Sequence, residues 1–216
     1  MQAETGGRGV GKRRGRPAAS GSARSAERRR RPTVAERFEA GELSVEEASE
    51  KARETLLRIL TAAPKSRREL ARSLARKGYP EQVVTPLLDR FDEVGLVDDA
   101  AYAELIARTR HGERGLARRA IAAELRRRGI EDDVAADALE QIEPEDERAA
   151  AAELARKHVA RTRGQDREKR VRRAVAALAR KGHSPSVAFG AVREALAAEG
   201  DTGDPADDDL PPFDDA

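Results

Sequence analysis

Acid–base or metal chemistry in this 216-residue chain would have to rest on three histidines, His111, His158 and His183, or on the acidic pairs Asp98-Asp99 and Asp132-Asp133. None of the spacings that gather such groups is present. There is no His-Glu-x-x-His, no Gly-x-Ser-x-Gly, no phosphate-cradling glycine loop and no cysteine. His111 and His183 fall in loop contexts and His158 at the margin of a helical stripe, so solvent-facing or edge positions are expected for all three. Each acidic pair directly precedes an apolar helical run, where N-capping accounts for it. The reading is therefore a non-enzyme with no cofactor and no metal.

The residue type that recurs with a pattern is the cation. Arg114, Arg118 and Arg119 open one helical segment, and Arg126, Arg127 and Arg128 finish it. Lys169, Arg170, Arg172 and Arg173, followed by Arg180 and Lys181, do the same in a later segment. Arg67, Arg68, Arg72, Arg76 and Lys77 form a weaker set in an earlier one. Cations along one helix face suit a polyanion or an acidic protein groove. The plainer account is a solvated face. Arginine in a last turn complements the helix dipole, and Glu124, Glu153 and Glu168 are placed to pair with arginine at i±4. Recurrence in three segments favours a functional stripe. Aromatic residues are only 3% of the chain, so base stacking is disfavoured, and the candidate helices hold little Asn or Gln with which to read base edges.

These cations must be positioned by a repeat. Leu74-Ala-Arg-Lys-Gly78, Leu125-Arg-Arg-Arg-Gly129 and Leu178-Ala-Arg-Lys-Gly182 share one pattern, each with a valine nine residues after its leucine: Val83, Val134 and Val187. Apolar positions then continue in step through Phe91, Ile142 and Ala195. Self-similarity at a fixed period indicates one structural unit used several times.

Helix signals divide each unit in three. Ser44-x-x-Glu47 and Ser66-x-x-Glu69 are capping boxes. The stripe Ala52, Leu56, Ile59, Leu60 and Ala63 ends at Pro64, and Leu70 and Leu74 form the next stripe up to Gly78. Pro80 suits a first turn, but Pro86 lies inside the following helix, which must either kink there or begin late. In the second unit an Asp at 98 or 99 caps a helix burying Tyr102, Leu105, Ile106 and Thr109, and His111–Gly115 reads as a loop. Asp132 or Asp133 caps the unit's last helix. In the third, Pro144 opens a helix, Gly164-Gln-Asp166 breaks the chain, and Ser184-Pro185 starts the final helix. Nine helices are expected. A unit of this size has little core of its own, so neighbours are expected to share apolar surface at their junctions.

Charge separates the ends from this body. Residues 1–32 hold ten Lys or Arg against two Glu, and residues 199–216 hold eight acids and no base. Neither stretch has apolar periodicity, so neither offsets its ordering entropy by burial, and like-charge blocks at chain ends are commonly interaction segments. No apolar run approaches a membrane span, and no apolar segment follows the basic N-terminus as a secretory signal requires. A cytoplasmic location is expected. The fold class is all-α, an elongated array of three tandem three-helix repeats with disordered tails. Its expected parts are a basic segment 1–43, repeats at 44–97, 98–143 and 144–198, and an acidic segment 199–216.

Ser66-Arg-Arg-Glu-Leu70, Leu74 through Val83 and Val94-Gly-Leu-Val-Asp-Asp-Ala-Ala-Tyr-Ala103 resemble the first half of RecX proteins. Arg114-Gly-Leu116 with Glu124-Leu-Arg-Arg-Arg-Gly-Ile130, and Arg180-Lys-Gly-His-Ser-Pro185, resemble the later segments. The resemblance covers about residues 48–197. It implies a regulator of the RecA recombinase that lies in the groove of RecA filaments on single-stranded DNA and inhibits ATP hydrolysis and strand exchange. It thereby affects DNA repair, recombination and the SOS response. The implied partners are the RecA filament and single-stranded DNA or nucleoprotein, with the protein a monomer away from any membrane. The long basic N-terminal and acidic C-terminal segments depart from the family pattern. Two other readings stand beside this one: a general, non-sequence-specific DNA-binding helical array, and a structural adaptor.

Overall fold

The computed structural model describes residues 32–200. Of the tails expected to be disordered, 1–43 and 199–216, residues 1–31 and 201–216 lie outside the described residues. Within 32–200 every regular element is an α-helix, and there are ten: α1 (Val34–Glu39), α2 (Val45–Ala62), α3 (Arg67–Arg76), α4 (Glu81–Glu93), α5 (Asp99–Arg114), α6 (Arg118–Arg128), α7 (Asp132–Glu140), α8 (Pro144–Arg161), α9 (Arg167–Arg180) and α10 (Pro185–Ala198). The unforeseen helix is α1. It carries a capping box in which Thr33 Oγ1 accepts from Glu36 N while the Glu36 carboxylate accepts from Thr33 N. Residues 33–39 thus fold inside the stretch assigned to the basic tail, and Leu43 is buried there as well.

The capping signals of the sequence reappear as hydrogen bonds. Ser44 and Ser66 each accept from the N3 backbone of their helix, and Glu47 and Glu69 return the bond. Asp98 caps α5 through Ala101 N, and Ser184 caps α10 through Val187 N. Such a cap is worth about 0.5–2 kcal/mol. Other boundaries differ from expectation. Pro80 is the N-cap of α4 rather than a first-turn residue, and α4 runs unbroken from Glu81 through Pro86, so this helix does not begin late. The residues read as a loop, 111–114, are the last turn of α5, closed by Gly115 in the left-handed conformation. Leu105 is 40% exposed, because α5 presents Tyr102, Ala103, Ile106 and Ala107 to the core instead. The N-cap of α7 is Glu131, which places Asp132 and Asp133 inside its first turn near the positive end of the helix dipole.

Helices α2–α4, α5–α7 and α8–α10 pack as three triplets, each around its own core. The first is built on Leu56, Leu70, Leu74, Val83, Leu88 and Phe91. Tyr102, Ile106, Ile121, Leu125 and Leu139 form the second. The third is poorer in volume, with six alanines beside Val159, Leu178, Val192 and Leu196. The repeat leucines Leu74, Leu125 and Leu178 all have 0% exposure, as the shared register requires. Apolar contact across a junction is limited to small patches, such as Leu154 against Gly115 and Ala120 against Gly182, with Ala117 fully buried at the same joint. The three cores are separate clusters, and hydrogen bonds and ion pairs also cross between triplets.

Candidate polyanion-binding track

The second helix of each triplet is the basic one, and the structure sets these helices end to end. Where α6 ends, Ser66 Oγ at the start of α3 donates to the Arg128 carbonyl at 2.6 Å. Gly129, at φ +88, lies so tightly against Arg68 that a Cβ there would overlap its side chain. Where α9 ends, the Lys181 carbonyl accepts from Ala117 N at 2.9 Å, the N-cap of α6. Gly182, at φ +89, would place a Cβ 2.6 Å from Ala120 Cβ. Both glycines are needed twice, for a backbone conformation that L-residues avoid and for space. The end of α3 meets α1 in the same manner, a Cβ at Gly78 falling 3.2 Å from Ala35 N. Helix α1 therefore occupies the place of a preceding second helix.

Carboxylates of the following triplet complete each joint. Asp99 accepts from Arg67 N at 2.8 Å, the first amide of α3. Glu147 accepts from Arg118 N at 3.4 Å, the first amide of α6, whose own N-cap, Ala117, has no side-chain acceptor. Burial pushes the Asp99 carboxyl above its usual range, against the pull of the Arg67 amide. These trans caps satisfy amides that a helix leaves orphaned, which helps the junctions hold separate cores together.

The joints gather cations from different repeats. Arg72 Nη1 reaches the Arg127 carbonyl at 3.4 Å, so the exposed Arg68 and Arg72 of α3 adjoin the exposed Arg126 and Arg127 of α6. Lys181 Nζ donates to the Arg114 carbonyl at 2.7 Å, which brings the end of α9, with exposed Arg180, to Arg114, Arg118 and Arg119. Arg76 and Lys77 are exposed where α3 meets α1. Lys169, Arg172 and Arg173 are exposed on the first half of α9, at its other end.

Three of the sequence-selected cations are engaged by the chain's own carboxylates, a correction to the stripe. Arg170 is 6% exposed. Its guanidinium reaches the Val159 carbonyl at 3.1 Å and the Glu199 carboxylate. Arg67 is bound by Asp89 and Asp92. Arg128 pairs with Glu124 at 2.7 Å and Glu69 at 3.2 Å, and donates to Tyr102 Oη at 2.6 Å. Tyr102 passes its own proton toward Glu69 at 3.0 Å. Arg110, which the charge pattern did not select, closes this network with a forked hydrogen bond to Glu124. Arg110 and Arg128 together hold the Glu124 carboxyl down to about 2 despite its burial. The i+4 spacing of Glu124 and Arg128 was a legible signal. The pairing with Arg110, fourteen residues away, had none.

One histidine is placed differently from expectation, while His111 and His158 hold the partly exposed edge positions expected of them. His183 is 1% exposed, with Nε2 3.1 Å from the Gly115 carbonyl, so it is a junction residue and not a surface one. Burial lowers its pKa, favouring the neutral ring whose Nε2–H donates. His111 Nδ1 lies 3.1 Å from the Leu116 carbonyl. His158 is half-buried on α8 and also lowered, first by burial and then by Arg161. Among the described residues no group of three or more His, Asp or Glu is gathered as a metal site would require, and no helix is long and apolar enough to cross a membrane.

Models of the first, second and third three-helix domains of RecX match residues 52–91, 98–139 and 145–192. The regulatory protein RecX of Thermobifida fusca is 47% identical over 160 residues, covering 74% of this chain and 86% of that protein. The regulatory protein RecX of Streptomyces coelicolor is 45% identical over 152 residues, 70% of this chain and 81% of that one. A crystal structure of RecX from Lactobacillus salivarius superposes with a TM-score of 0.62 over 69% of this chain and 97% of that chain. At 21% identity this last likeness shows the fold alone.

Proposed function

The chain belongs to the RecX family of regulatory proteins, and from that membership we propose that it binds RecA filaments on single-stranded DNA and inhibits their ATP hydrolysis and strand exchange. It acts in the cytoplasm as a monomer and without catalysis, and so restrains recombinational repair and the SOS response. The observation that carries this reading is the joining of the second helices. Exposed cations of successive repeats meet at both junctions, so a polyanionic partner is met by several repeats at once. A filament groove lined by DNA phosphate and acidic protein surface is such a partner. The candidate contacts are Arg68, Arg72, Arg76, Lys77, Arg114, Arg118, Arg119, Arg126, Arg127, Lys169, Arg172, Arg173, Arg180 and Lys181.

The test needs purified protein, RecA, single-stranded DNA and ATP. Inhibition of ATP hydrolysis is expected at ratios well below one per RecA protomer, because one molecule lodged in a filament affects many protomers. No effect at micromolar protein, combined with salt-sensitive binding to bare DNA, would replace this reading with that of a general DNA-binding array.

A further inference from the structure

The C-terminus of the described chain is tied to the basic half of α9. Glu199, the C-cap of α10, accepts from Arg163 Nε at 2.9 Å and from Arg170 Nη2. Gly200, at φ +81, then turns the chain out of the helix. Sixteen residues follow, seven of them Asp and none Lys or Arg. They leave beside residues 163–173, where Lys169, Arg172 and Arg173 are exposed and only two carboxylates, Asp166 and Glu168, lie in the same stretch, Arg163 and Arg170 being engaged by Glu199. Asp166 is engaged in capping Lys169 N, and Glu168 approaches Arg172 at 3.6 Å. Sixteen extended residues reach about 50 Å, more than twice the length of α9, about 21 Å at 1.5 Å per residue. Length, exit point and charge all match.

We propose that residues 201–216 lie along the first half of α9 and pair with its cations, so that a polyanion must displace this acidic segment to use the third repeat. The docking stands on the exit geometry and charge alone; the competition rests on the polyanion-track reading above. A short tether makes α9 the favoured site, since the cost of closing a loop grows with its length. The basic residues 8–31 are the rival occupant.

The chain has no cysteine, so Ala216→Cys in the full chain gives a single site for a nitroxide spin label. Docking predicts that amide NMR signals of residues 163–173 are broadened at about 50 mM salt and recover near about 500 mM, where the screening length falls below about 5 Å. They should also recover in a labelled chain whose seven tail aspartates are changed to Asn. Unbroadened signals at 163–173, or broadening centred on residues 8–31, would overturn the proposal. In a second arm, the unlabelled Asp→Asn chain should bind an oligothymidylate several-fold more tightly than the parent at low salt, with the advantage shrinking as salt rises. Equal affinities at every salt would remove the competition. If neither chain bound the oligonucleotide, the polyanion track itself would fail, while the spin-label result would still decide the docking.

Discussion

Glu124 is the residue on which the junction network turns. Two guanidiniums hold its carboxyl at about 2, below the ordinary value of 4.5, so the folded state prefers the charged form. A depressed carboxylate contributes stability that is complete above pH 4.5 and is lost as pH falls toward 2. Glu124→Gln should therefore cost about 2–4 kcal/mol at neutral pH and flatten the acid limb between those values. Denaturant unfolding across pH measures both. His183 has the opposite chemistry and the same sign. Its folded pKa is lowered from 6.5, so the unfolded chain binds more protons, and stability falls as pH drops below 6.5. Glu147 opposes this shift, while His111 and Lys181 reinforce it. The readout is the exchange protection of the Ala117 amide, which bonds across the same joint. That protection, corrected for intrinsic rate, should decline below pH 6.5 and become flat there in His183→Gln.

At the scale of the element, each second helix is held at both ends. Gly182→Ala meets both a left-handed backbone and Ala120, whereas Gly164→Ala at φ +78 meets open space. The second change should cost about 1 kcal/mol from backbone strain, and Gly182→Ala distinctly more. The extra cost belongs to the joint with α6, so Ala117 protection should fall in Gly182→Ala and not in Gly164→Ala. Within a core, Leu125→Ala should cost about 2–5 kcal/mol, as for other fully buried leucines. The capping boxes, the Pro and Gly punctuation and the apolar stripes made these elements legible in the sequence. The extra turn of α5 was not, because a glycine at position 112 on the exposed side of a helix reads locally as a loop. Nor was α1, whose six residues are too short to show a stripe and acquire their place by packing against Gly78.

For the molecule as a whole, charge should divide into two kinds. Arg126→Glu with Arg127→Glu should weaken binding to single-stranded DNA and reduce the slope of log K against log salt by roughly 1.4, about 0.7 for each lost phosphate contact, with little loss of stability. Arg170→Glu and Arg128→Glu should instead destabilise the fold, since each leaves buried acceptors without their cation. Circular dichroism melts beside anisotropy titrations separate the two classes. If Arg126 and Arg127 proved neutral for binding, the track would not pass over the first junction.

The sequence by itself determined the repeat, the three-helix content of each unit, the burial of Leu74, Leu125 and Leu178, and the helix on which the cations recur. All of these are written in local spacing, and spacing is what fixes which face of a helix is apolar. Only the tertiary structure decided that the cores are separate and the joints cross-bonded, that Arg67, Arg128 and Arg170 are engaged by the chain's own carboxylates, that His183 is buried, and that cations of neighbouring repeats meet at helix ends. The physical reason is that an arginine on a helix looks the same in sequence whether its carboxylate lies four residues away or, as between Glu69 and Arg128, fifty-nine. The desolvation and pairing that separate a structural cation from one offered to a partner arise only when distant segments pack.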